Sequence, residues 1–222
     1  MITFNPLYLL ALIPFVVASV LHLIFAFRGK DGARAITKLI LIPALSIYPI
    51  VVDRSATTLI LALLFAYMGD IFMIYKDNRK SLLAGFITFA LAHIGYITIL
   101  LLKIGIDKLP SYPWIIGALV LLLGGSFLFI QLLFKNKAGA FKYVMVAYSF
   151  LLVAELVIAG YGMILAPSVW SILILFGIIL FISSDTYLGI TIFLKPNKLD
   201  NFYVMILYLA AQLVIVMSLL HY

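Results

Sequence analysis

Eight stretches of about 20 apolar residues succeed one another along the chain, joined by links no longer than about a dozen residues. They lie near 5–27, 35–52, 56–75, 81–102, 113–134, 142–163, 168–194 and 201–220. A run of that length crosses a hydrocarbon core about 30 Å thick as an α-helix. In lipid a segment must satisfy its own backbone hydrogen bonds, so these runs are expected to be helices and not open strands. The predicted fold class is all-α: a polytopic membrane protein, one bundle of eight transmembrane helices over residues 1–222, with no room in the links for a soluble domain. Composition agrees, with 66% hydrophobic and 10% charged residues, against roughly half and a quarter in a soluble domain. Cysteine is absent, which excludes disulfides and thiolate metal sites. The first run has no basic stretch before it and no small-residue cleavage site after it, so it reads as a span and not as a removable signal.

Lysine and arginine then orient the bundle. The links after spans one, three, five and seven hold Arg28, Lys30, Arg34, Lys76, Arg79, Lys80, Lys135, Lys137, Lys195 and Lys198, and Lys142 opens span six on the same side. These eleven face three on the opposite loops, Arg54, Lys103 and Lys108. The positive-inside rule predicts the eleven in the cytoplasm and both termini outside. A net charge of +7 scattered over short loops offers no nucleic-acid surface. A short chain without cysteine suggests a bacterial cytoplasmic membrane.

Of eight acidic residues, Asp31, Asp53, Asp77, Asp107 and Asp200 fall in loops or at span edges. Asp70, Glu155 and Asp185 fall inside spans, as do Lys38, His22 and His93. Counting about 1.5 Å per residue from the basic anchors puts Lys38 about 6 Å deep, Asp70 about 9 Å and Asp185 about 15 Å. His93 and Glu155 reach roughly 20 Å. Each intramembrane charge costs at least ~2.5 kcal/mol, so such groups face a bundle interior or a wet cavity. Interhelical hydrogen bonding, or snorkelling to the interface, explains Lys38 and His22 as well as function does. Asp70 and Asp185 together point to function. Gly69 precedes the first, while Ser183, Ser184 and Thr186 flank the second. Small residues let helices approach, and hydroxyls hydrogen-bond a carboxyl without adding charge. Two carboxyls close together out of water separate into one acid and one base.

His93, in FALAHIGY, shares a helical face with Phe89 and Tyr96, and reads either as a packing residue or as a catalytic one. Glu155, on one face with Tyr148, reads as structural or pocket-lining. Spans three and seven run in the same direction, and their aspartates are 115 residues apart. A parallel 4+4 pseudo-repeat would juxtapose the two.

The sequences GDIFM at 69–73 and LLAGFITFALAHIGY at 82–96 resemble the GD-x-x-L-M and F-x-x-G-x-x-x-F-x-x-A-H-x-x-Y pattern of the YhhN-like lysoplasmalogenases. FISSDTYLGITIF at 181–193 resembles that family's second signature, and LYLAAQLVI at 207–215 its last helix, with Gln212 at the polar position. Lys38 in ARAITKLILIP matches the family lysine, although Leu39 follows it where the family has proline, which here waits until Pro43. The resemblance implies hydrolysis of the vinyl ether bond of lysoplasmalogens to a fatty aldehyde and glycerophospho-ethanolamine or -choline. The partners expected are then a lysophospholipid and membrane lipid, without metal or nucleotide cofactor. Asp70 and Asp185 become the expected acid–base pair, with His93 and Tyr96 orienting water or the glycerol oxygen and Lys38 holding the phosphate. Ser184, Glu155 and Gln212 are expected to line the substrate site.

Three other readings use the same residues. A lipid-binding or transport protein would employ the polar cluster without chemistry. Intramembrane aspartyl proteases also pair two aspartates, but Pro43-Ala44-Leu45 precedes both here, where theirs follows. A zinc hydrolase needs several histidines converging on one ion, and of His22, His93 and His221 the last is expected at the outer end, far from the other two.

Overall fold

The computed structural model describes residues 5–105, 114–135, 137–194 and 197–222. Asp107, Lys108, Lys195 and Pro113, the first residue of the fifth predicted span, lie outside the described residues. Among those described, eight helices are long and apolar enough to cross a membrane, and there is no strand. A 3-10 turn over Pro6–Leu12 runs into α1 (Ile13–Phe27). It is followed by α2 (Asp31–Val52), α3 (Thr57–Ile74), α4 (Arg79–Ile104), α5 (Trp114–Phe134), α6 (Phe141–Leu165), α7 (Val169–Phe193) and α8 (Asp200–His221).

The predicted spans match these helices, but α2 and α4 begin earlier than apolarity alone indicates. Charged residues belong to their first turns, and at α4 a side-chain cap marks the true start. The Asn78 side chain accepts from the Lys80 and Ser81 backbone N–H groups at 2.9 and 3.4 Å, satisfying donors that the first turn of α4 leaves unpaired. Ser168 and Ser171 form the corresponding capping box at α7. Gly29 adopts a φ of +66°, which lets the chain reverse within the short link from α1 to α2.

Contacts between helices repeat from one half to the other. The α1–α2, α2–α3 and α3–α4 contacts have counterparts in α5–α6, α6–α7 and α7–α8, and α4–α6 has its counterpart in α8–α2. This is the pattern that a parallel 4+4 pseudo-repeat produces. The match is imperfect in burial: α8 is the most enclosed helix, whereas α5 packs extensively on α6 alone. Large apolar side chains of α5 such as Leu128 and Leu132 point outward, as a lipid-facing helix requires.

Candidate active site

Asp70 reaches the bundle interior because Gly69 lets α3 approach α4; a Cβ there would come within 2.9 Å of the Phe89 ring. Its carboxylate is 1% exposed and bound through both oxygens. Lys38 Nζ lies 3.2 Å from Oδ1, and the Tyr208 hydroxyl donates to Oδ2 at 2.9 Å. The chain of donors continues outward from there. Gln212 Nε2 donates to the Tyr208 oxygen at 3.4 Å, and Tyr96 donates to Gln212 Oε1 at 2.9 Å. Every one of these bonds is directed toward Asp70, the arrangement that a buried carboxylate with a cationic partner needs.

Asp185 is held differently. The Tyr148 hydroxyl of α6 donates to its Oδ2 at 2.6 Å, and among the described residues it forms no ion pair. The flanking hydroxyls do not bind it: Ser184 donates to the Val204 carbonyl at 3.1 Å and Ser183 to the Ile179 carbonyl at 2.8 Å. Ser183 bonds back to its own helix and Ser184 bonds across to the backbone of α8, so the carboxyl partner comes from a third helix, α6.

His93 and Glu155 form a third polar pair, His93 Nδ1 against Glu155 Oε2, joining α4 to α6. The imidazole packs edge-on against Phe181, with ring centroids 4.4 Å apart, and against Tyr96 and Tyr148 at 5.8 and 5.9 Å. It therefore stands between the tyrosines that serve the two aspartates. His93 Nε2 and Glu155 Oε1 are buried without a hydrogen-bond partner.

Two cavities meet at this cluster. One has a volume of about 340 Å³ and is walled by apolar residues of α5, α6 and α7, among them Leu121, Gly125, Phe129 and Leu152, with Phe86 of α4. The other, about 30 Å³, is lined by Lys38, Asp70, Ser184 and Tyr208 within and by Arg34, Lys76 and Asn201 toward the basic end. Among the described residues Asp185 alone lines both. His93, Tyr96, Glu155 and Gln212 line neither, and stand one layer behind the walls.

The other histidines lie elsewhere. His22 Nδ1 pairs with the Thr37 hydroxyl at 2.9 Å between α1 and α2, and His221 Nε2 with the Tyr48 hydroxyl at 3.0 Å. Among the described residues no three His, Cys, Asp or Glu side chains gather around one point.

The model of the YhhN family matches residues 33–219, which contain every residue of both cavities. The chain belongs to the YhhN family. It is 30% identical over 167 residues to lysoplasmalogenase TMEM86A of Bos taurus. That match covers 74% of this chain, while the chain spans 65% of the length of the curated relative. No solved structure matches the chain.

In this YhhN-family chain the spans and the intramembrane charges were legible in the sequence, but several site residues were not. Tyr208 carries no charge to single it out, although its spacing of four from Gln212 on α8 puts the two on one face. Tyr148 shares a helical face with Glu155 in the sequence, but its hydrogen-bond partner is Asp185. Arg34 and Lys76 read as orienting charges and Asn201 as a helix-end residue, and nothing local to them signals a shared cavity.

Proposed function

We propose that this chain is a lysoplasmalogenase, cleaving the vinyl ether of an alkenyl-glycerophospho-ethanolamine or -choline to a fatty aldehyde and the glycerophospho-base. The observation that carries this reading is the position of Asp185 in the wall of both an apolar and a polar cavity. An alkenyl lysophospholipid has the same polarity change at its vinyl ether. With its tail between α5, α6 and α7 and its headgroup toward Lys38 and Arg34, the reacting bond lies beside Asp185. Family membership and likeness to a lysoplasmalogenase support the same activity.

The two carboxyls divide the chemistry by their partners. Asp70, bound to the Lys38 ammonium, is the ionised member, and Asp185, bound to a neutral phenol, carries the proton. Asp185 protonates the alkenyl carbon remote from the ether oxygen, leaving an oxocarbenium ion. Asp70 stabilises that cation and accepts a proton as water adds to the carbon bearing oxygen. The 30 Å³ cavity lined by both is large enough for water. The hemiacetal then collapses: its hydroxyl proton returns to Asp185, the glycerol oxygen takes one from Asp70, and the aldehyde leaves. His93, Tyr96, Glu155 and Gln212 act as positioning residues, holding Tyr148, Tyr208 and the intervening Phe181. The active site lies in the cytoplasmic half under the positive-inside orientation.

Incubation of purified protein with a lysoplasmalogen and with its saturated lyso-ether analogue tests the reading. Aldehyde is expected from the first alone. Absence of turnover of both would return the cluster to a binding or transport role.

The tail pocket carries its own prediction. Gly125 of α5 lines the apolar cavity, and a Cβ there would meet nothing within 4 Å. Gly125→Phe is therefore expected to fold normally and fill the pocket. KM for a 16- or 18-carbon alkenyl substrate should rise about tenfold or more, roughly what one buried aromatic ring's displacement implies. A short-chain substrate should be affected far less. Equal effects on all chain lengths would place the tail elsewhere.

A further inference from the structure

Three cations line the 30 Å³ cavity, and among the described residues only Lys38 forms an ion pair with a buried anion. Lys38 is taken up by Asp70. Arg34, in the first turn of α2, shares its Nε with Asp31 at 3.1 Å, but the Asp31 side chain is 77% exposed, so that pair is weak. Lys76, just beyond α3, donates to the neutral Asn201 amide oxygen of α8 at 3.3 Å. Burial, and then the charges of Lys38 and Arg34, push the Lys76 amine below the ordinary lysine range, against smaller opposite contributions from Asp77 and Asp200. Asp200 is held by the Tyr187 hydroxyl at 2.7 Å and by the Asn197 N–H, and it forms no ion pair with Lys76. The cavity mouth thus holds two cations, Arg34 and Lys76, that have no buried ion-pair partner among the described residues.

The geometry points to Arg34 and Lys76, with the Asn201 amide, as the site of the substrate's phosphodiester, leaving Lys38 to Asp70. This changes the expected role of Lys38, and it rests on the lysoplasmalogenase reading only for the identity of the lipid. A guanidinium presents paired donors to phosphate oxygens, an ammonium adds a point charge and an amide adds directional bonds. The interior volume suits water and not phosphate, so the anion sits at the mouth, between Arg34 and Lys76. From there the glycerol reaches inward to Asp185.

Binding of a non-hydrolysable lipid tests this without turnover. A fluorescent saturated lyso-ether phosphoethanolamine is displaced from the purified protein by its unlabelled form or by the alkylglycerol of the same chain length. Wild type is expected to prefer the phospholipid at least about tenfold, the scale of charge-assisted hydrogen bonds. Arg34→Gln with Lys76→Gln should erase that preference and leave alkylglycerol affinity unchanged, while Arg34→Lys keeps most of it. If the double variant is polydisperse, the single variants read the same ratio, each with a smaller loss. Glycerophosphoethanolamine should compete where inorganic phosphate at equal concentration does not. Equal wild-type affinity for both lipids, a preference surviving in the folded variants, or equal competition by inorganic phosphate would overturn the assignment. Because nothing is hydrolysed, a protein that releases no aldehyde but passes this test loses only its catalytic reading.

Discussion

Asp185→Asn should cut aldehyde release by about 100- to 10,000-fold, the usual contribution of a positioned general acid, while the protein stays folded and still binds the saturated ether. The substitution is nearly isosteric. Tyr148, which donates to Asp185 Oδ2 at 2.6 Å, keeps an oxygen acceptor in the amide. What disappears is the proton that the alkenyl carbon must receive. Single-turnover aldehyde measurements, paired with binding of the non-hydrolysable analogue, separate the two effects. A folded Asp185→Asn variant with wild-type turnover would sink the assignment of Asp185 as the acid.

The second large effect falls on stability. Lys38→Met removes the cation facing a carboxylate that is 1% exposed. Breaking a buried ion pair from one side costs about 3–5 kcal/mol, because the surviving charge is left uncompensated. A matching fall in thermal stability is expected, together with loss of aldehyde release. Adding Asp70→Leu to Lys38→Met should restore most of the stability, since replacing both partners with apolar groups is often neutral. It should restore none of the activity. Unchanged melting in the single variant would show that the Lys38–Asp70 contact is not the buried pair described here. Recovery of activity along with stability in the double variant would remove Asp70 from the mechanism.

The sequence determined the number of helices, because each must be long and apolar enough to cross the bilayer while satisfying its own backbone. It also singled out Asp70, Asp185, Glu155, Lys38, His93 and His22, because a charged or titratable group in such a run is costly unless it faces a partner or cavity. Of these, His22 pairs with Thr37 and lines neither cavity. The GD block and the AHIGY segment marked the family for the same local reason: their residues lie close together on α3 and α4. What the sequence left undetermined was which of these groups meet. Lys38 and Asp70 are 32 positions apart, Tyr148 and Asp185 are 37 apart, and Tyr208 and Asp70 are 138 apart. Such pairings depend on the rotation of each helix about its axis and on its neighbours, which nearly all-apolar faces do not encode locally. Only the packed bundle gave Asp70 a cation and Asp185 a phenol, and set Asp185 between a tail-sized cavity and a water-sized one.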